Sequence, residues 1–199
     1  SDFKIDATYL SPHVSLTAQL EGATSEYGVT MIMSDALVVA CGPKLRSCFR
    51  PVDNVQMSSS GKATQLFTLD LEPRRLPADQ RQHRRWRLHD ARHIRERRRH
   101  DLLNPLYHVH QALLLDKNLQ IMRRHLCVGF FQLFESGYLN YLAGEWEVAS
   151  DVFARTRTML LETGGCEDGP SRTLLEYMQN FGCQAPANWP GWRELKAAR

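Results

Sequence analysis

The chain has 199 residues, 43% of them apolar, and a formal charge of +3, enough for one ordinary domain or two small ones with a real core. It contains no apolar run of about eighteen residues or more, which excludes a membrane-spanning helix in this sequence. The charge is local: between Arg74 and Arg99 stand eleven arginines and three acids (Asp79, Asp90, Glu96), leaving 14 bases against 19 acids elsewhere.

Ser1-Asp2-Phe3-Lys4 has neither the charged nor the apolar region of a secretory signal. The start without an initiator Met fits a fragment of a longer polypeptide. Five widely spaced cysteines (Cys41, Cys48, Cys127, Cys166, Cys183) form no CxxC pair, so reduced, structural thiols in a cytosolic setting are expected.

In chain order, residues 1–71 read as mixed α/β. Val14, Ala18, Leu20 and Ala23 give Val14–Ser25 a helical face that ends before Tyr27-Gly28. Val29–Met33 has the length and composition of a strand, and Ser34 is placed to cap a short helix through Val39. Arg50–Met57 and Thr64–Leu71 predict two strands joined by a turn at Ser58-Ser59-Ser60-Gly61. Residues 72–100 read as an Arg-rich linker by composition, and 101–199 as a helical extension. Within it, Asn104-Pro105 predicts a helix start. Val128–Leu142 and Trp146–Leu161 predict two amphipathic helices, and Asp168-Gly169-Pro170-Ser171 opens a last one through Gln179. The tail from Ala185 to Trp192, rich in turn residues and carrying two tryptophans, is expected to fold back on these helices. Gly137, Gly144, Trp146, Ala149 and Phe153 have the spacing of one tetratricopeptide-like hairpin, in which small residues let helices approach and aromatics fill the groove. A generic helical hairpin gives the same spacing.

Lys4 to Glu21, Tyr27-Gly28-Val29 and Met31-Ile32-Met33-Ser34 together resemble the second half of a class III nucleotide cyclase domain. Cys48 to Met57 and Leu66 to Asp70 resemble the closing hairpin of that family, so the likeness covers about residues 4–71. The implied fold is α+β: a partial ferredoxin-like palm of helix, strand, helix and hairpin. Residues 116–123, 137–146, 168–171 and 189–195 resemble the helical extension that follows such domains in protist and algal proteins.

The family converts ATP or GTP to a cyclic nucleotide with Mg or Mn held by two aspartates. An Asn and, four residues on, an Arg orient the ribose and meet charge developing on phosphate. On that pattern the resemblance places Ser15 at the Asn position and Gln19 at the Arg position. A neutral Gln supplies neither the charge nor the fork of an Arg. The resemblance also places Ser58 at the phosphate-binding Lys position, with Lys62 four residues later as a partial substitute. Asp6 corresponds to the purine-contacting carboxylate at a longer spacing than usual, and the metal aspartates would precede Ser1. The implied chain is a catalytically degenerate cyclase homology region, with no catalytic residue intact, that pairs with another cyclase-like domain or joins a large assembly, including a ciliary or cytoskeletal one. The alternative is part of an active adenylate or guanylate cyclase whose site another domain completes.

The Arg81–Arg87 tract, with Arg84, Arg85, Trp86 and Arg87 as its interaction residues, has one aromatic and no recognisable nucleic-acid fold around it. It reads as a solvated linker or a segment docking on an acidic partner; nucleic acid, or a calmodulin-like or anionic-membrane contact, are the other readings. His108 and His110 fall on different helix faces, and Asp151, Glu162, Glu167 and Asp168 read as helix-end and loop carboxylates.

Overall fold

The computed structural model describes residues 11–57, 61–77, 88–104, 107–163 and 165–195. They divide into two compact units: residues 1–71 with 124–199, and residues 72–123.

The first unit begins with α1 (Pro12–Tyr27), started by Ser11, whose hydroxyl accepts from the Val14 N–H, and closed by Gly28 in the left-handed conformation. β1 (Met33–Ser34), α2 (Asp35–Ala40) and α3 (Pro43–Arg46) follow, then β2 (Arg50–Gln56) and β3 (Ala63–Thr68). The sequence assigned Val29–Met33 to a strand, but ladder pairing is confined to Met33 and Ser34, opposite Phe67 and Leu66. Upstream, the Thr68 hydroxyl donates to the Met31 carbonyl, so a side chain supplies the bond that a ladder would have made.

The helical part of this unit is α7 (Val128–Ala143), α8 (Trp146–Glu162) and α9 (Gly169–Gln179), each within two residues of its predicted bounds. A left-handed Gly144 ends α7, and the Asp168 side chain caps α9 by accepting from the Ser171 N–H. Gly137 lets α7 and α8 approach: a Cβ there would meet Val152 Cγ1 at 2.9 Å.

The tail does fold back as expected, with Ala185 and Trp189 against the core of Phe134, Tyr138, Tyr141, Trp146, Phe153, Leu174 and Met178. The Trp146 and Trp189 indole N–H groups both donate to the Tyr141 carbonyl. The tail then adds β4 (Arg193–Glu194), parallel to β2, giving a four-stranded sheet in the order β1-β3-β2-β4. α1 covers this sheet through Ala23 and Tyr27, which pack with Val52, Val55, Met57, Leu66 and Leu195.

Two local features join the helices to the sheet. Gly169 at the start of α9 lies so close to the Tyr27 carbonyl that a Cβ would collide with it, and the Thr173 hydroxyl donates to the Glu26 carbonyl. In β2 a bulge between Pro51 and Asp53 shifts the register against β3. The alternation is rephased there, so both Val52 and Asp53 are buried.

In the second unit a 3₁₀ turn (Pro73–Arg75) packs with α6 (Lys117–Arg123), which contacts α5 (Val109–Leu115). The composition of residues 72–100 suggests a linker, yet α4 (Leu88–Leu103) runs through it. Arginine and leucine are good helix formers, and the exposed Arg92–Glu96 pair spans one turn. The helix expected to start at Asn104-Pro105 does not: α4 ends just before Asn104, and α5 begins at Val109 with His108 at its cap. A following proline disfavours helical backbone at Asn104, which accounts for the stop.

Candidate functional site

α1 carries two of the residues singled out in the sequence. Ser15 is exposed and Gln19 half-buried, four apart and therefore neighbours on one side of the helix. They border the stripe of Leu16, Leu20 and Ala23 that packs toward the sheet. Lys62 lies elsewhere, exposed in the turn before β3, where the Gln56 side-chain amide donates to the Gly61 carbonyl. Asp6, Ser58, Arg84, Arg85, Trp86 and Arg87 lie outside the described residues.

The charged groups that the fold does bring together form two buried clusters, neither of which the sequence revealed. In the first, Arg50 at the start of β2 grips two carboxylates. Its Nε and Nη2 donate to Asp70 at 2.9 and 2.5 Å, and its Nη2 and Nη1 donate to Asp168 at 2.9 and 3.3 Å. The guanidinium carbon lies 4.3 Å from the Phe134 ring centroid and 5.1 Å from that of Phe130, within cation–π range. Asp168 also accepts from the Ser171 N–H and hydroxyl. Burial alone would lower the pKa of Arg50, but the Asp168 and Asp70 charges outweigh it and hold the guanidinium more firmly protonated than usual.

In the second cluster Arg193 of β4 reaches Asp53, Glu26 and Tyr27. Its Nε donates to Asp53 Oδ2 at 2.7 Å, and its Nη2 donates to Glu26 Oε1 and to the Tyr27 hydroxyl oxygen at 2.7 Å each. The Tyr27 hydroxyl donates onward to Asp53 Oδ2 at 2.5 Å, and the Asn54 N–H donates to Asp53 Oδ1 at 2.7 Å. Burial raises the Asp53 pKa, and Arg193, Tyr27 and the Asn54 N–H pull it back down. Burial, then the Asp53 charge, pushes the Tyr27 phenol well up. The Tyr141 hydroxyl is buried, in the field of Asp53, without a hydrogen bond of proper geometry.

These arrangements fasten segments together. Asp53, Asp70 and Asp168 are each bonded to a guanidinium, so none presents a free carboxylate to a divalent cation, and among the described residues no group of three His, Cys, Asp or Glu is close enough to hold one. All five cysteines are free thiols. No described helix is long and apolar enough to cross a membrane.

Part of one cluster was readable: Asp168 was expected as a helix-end carboxylate and does cap α9. Its second role depends on Arg50, 118 residues away, and nothing in local spacing signals such a pair. Comparison with known proteins finds no matching family model, no matching curated protein and no matching solved structure.

Proposed function

We propose that this chain is a catalytically degenerate class III cyclase-like region that serves as a structural or pairing element of a larger protein or assembly. The observation that carries this reading is the order helix, two-residue strand, two short helices and antiparallel hairpin from Pro12 to Thr68, with Ser15 and Gln19 one turn apart on the leading helix. Apart from the extra α3, that order is compatible with a closing half-palm. Ser15 and Gln19 supply no positive charge, and losing one preorganised contact to a developing charge typically costs about two to three orders of magnitude in rate.

The α7–α8 hairpin, with Gly137 at its close approach, suits one tetratricopeptide-like unit of an extension. Its partner is another cyclase-like domain or a subunit of a cytosolic assembly, a ciliary or cytoskeletal one among them. The charged side chains of the two clusters bond inward, which suits a scaffold.

The test is a cyclase assay of the chain with ATP or GTP and manganese. No cyclic nucleotide is expected. Measurable product from this chain alone would overturn the reading. Product from the longer protein that vanishes on mutating metal-binding aspartates in a partner domain would instead make the chain part of an active enzyme.

A further inference from the structure

The second unit differs from ordinary protein surface in two respects. On α4, Arg92, Arg95 and Arg99 stand at i, i+3 and i+7, which is one stripe, with Arg98 beside it. All four are exposed, and the stripe is about 10 Å long at a helical rise of about 1.5 Å per residue. Glu96 pairs with Arg92 at 3.0 Å, but in full view of solvent, where such a pair holds little.

The same unit shows two Leu–Leu pairs to water. Leu102 and Leu103 at the end of α4 are 67% and 74% exposed, and Leu114 and Leu115 at the end of α5 are 51% and 74% exposed. No described residue between 72 and 123 is buried. A single exposed leucine needs no explanation, whereas the adjacent Leu102 and Leu103, on the same helix as the clustered arginines, mark a contact surface.

The chemistry of the two features selects the occupant. Guanidinium groups bond phosphate and carboxylate oxygens, and leucine enters an acyl boundary; an anionic lipid surface offers both. A nucleic acid offers the phosphates, but its bases reward stacking aromatics rather than aliphatic leucine.

We propose that α4 docks peripherally on anionic phospholipid bilayers, with Arg92, Arg95, Arg98 and Arg99 on the headgroups and Leu102 and Leu103 at the acyl boundary. This is independent of the cyclase-like reading.

Flotation of the chain with phosphatidylcholine vesicles, with and without phosphatidylserine, tests it at low and high salt. Binding should require phosphatidylserine and weaken with salt. Changing the four arginines to glutamine should weaken it about fivefold per residue, and changing them to lysine should retain most of it. Leu102→Ser with Leu103→Ser should also weaken binding, while circular dichroism shows the fold kept in every variant. Failure to bind phosphatidylserine vesicles, or binding indifferent to the arginine changes, overturns the proposal. So does a leucine variant that binds vesicles unchanged while duplex RNA is held more tightly than lipid, which would make the stripe a nucleic-acid contact.

Discussion

Arg50 and Arg193 are both buried, both bonded to two carboxylates and both laid against aromatic rings. They differ in what surrounds the carboxylates. Asp70 and Asp168 are both nearly buried, and Asp168 is further committed to the α9 N-terminus, where the helix dipole favours its charge. Around Arg193, Glu26 is about a third exposed, and Asp53 shares its Oδ2 with a tyrosine that keeps donating whatever the arginine does. In the first cluster Asp168 also has its Ser171 donors, whereas Asp70 relies on Arg50; the second has a phenol, a raised carboxyl pKa and access to water to fall back on. Burying an ion pair is weak evidence of net stabilisation, but removing one partner is costly wherever the remaining charge has no alternative.

Arg50→Ala is therefore expected to have the largest effect, about 3–5 kcal/mol by urea denaturation, because it strands the nearly buried Asp70 and leaves Asp168 with only its helix-cap bonds. Arg193→Ala should cost less, about 2–3 kcal/mol, since Glu26 can turn to water and Tyr27 still satisfies Asp53. If Arg193→Ala is the more damaging, the idea that a fallback network softens the loss is broken.

The pH dependence sharpens the same contrast. With Asp53 held above the ordinary 3.8 by burial, the folded state binds that proton more tightly than the unfolded one. Its stability contribution is then complete below that value and is lost as pH rises through the folded pKa. The stability of the wild type relative to Asp53→Asn should fall as pH rises from just below 4, with a slope no steeper than about 1.4 kcal/mol per pH unit. A relative stability that climbs over that range would mean the ion pair, rather than burial, dominates Asp53. At the small end, Arg92→Ala removes a pair of ordinary length, 3.0 Å, but wholly at the surface. It should change stability by about 0.5 kcal/mol or less; a loss above 1 kcal/mol would show that burial is not what separates these pairs.

What could be read from the sequence follows from how locally each feature is specified. α7, α8 and α9 carry their own start and stop signals (Asp168 before Gly169-Pro170, Gly144 after Ala143) and were placed almost to the residue. β2 was placed within one residue, whereas β3 ends three residues before the predicted Leu71; residues 58–60 of the predicted turn lie outside the described residues. α4 was missed because arginine counts twice: its repulsion suggests an open linker, while its long, unbranched side chain favours helix. β4 was missed because a two-residue strand has no period, and it exists only because the β2 edge is available to it. Neither arginine cluster could be found, since each forms only after chain segments more than a hundred residues apart have met. The bulge at Val52-Asp53, which delivers Asp53 to the interior, is a product of pairing and not of the strand's own residues.

Arg193 lies 140 positions after the carboxylate it neutralises. During synthesis, β2 would emerge and meet β3 long before that guanidinium exists. Until it arrives, Asp53 must stay protonated, stay wet or hold the hairpin partly open. Loop closure over such a separation is slow compared with local helix formation. The α7–α9 helices can thus be complete while the sheet still waits for its last strand, and a nascent chain of this kind would leave the β2 edge available to chaperones, or to other strands, for the whole of that interval.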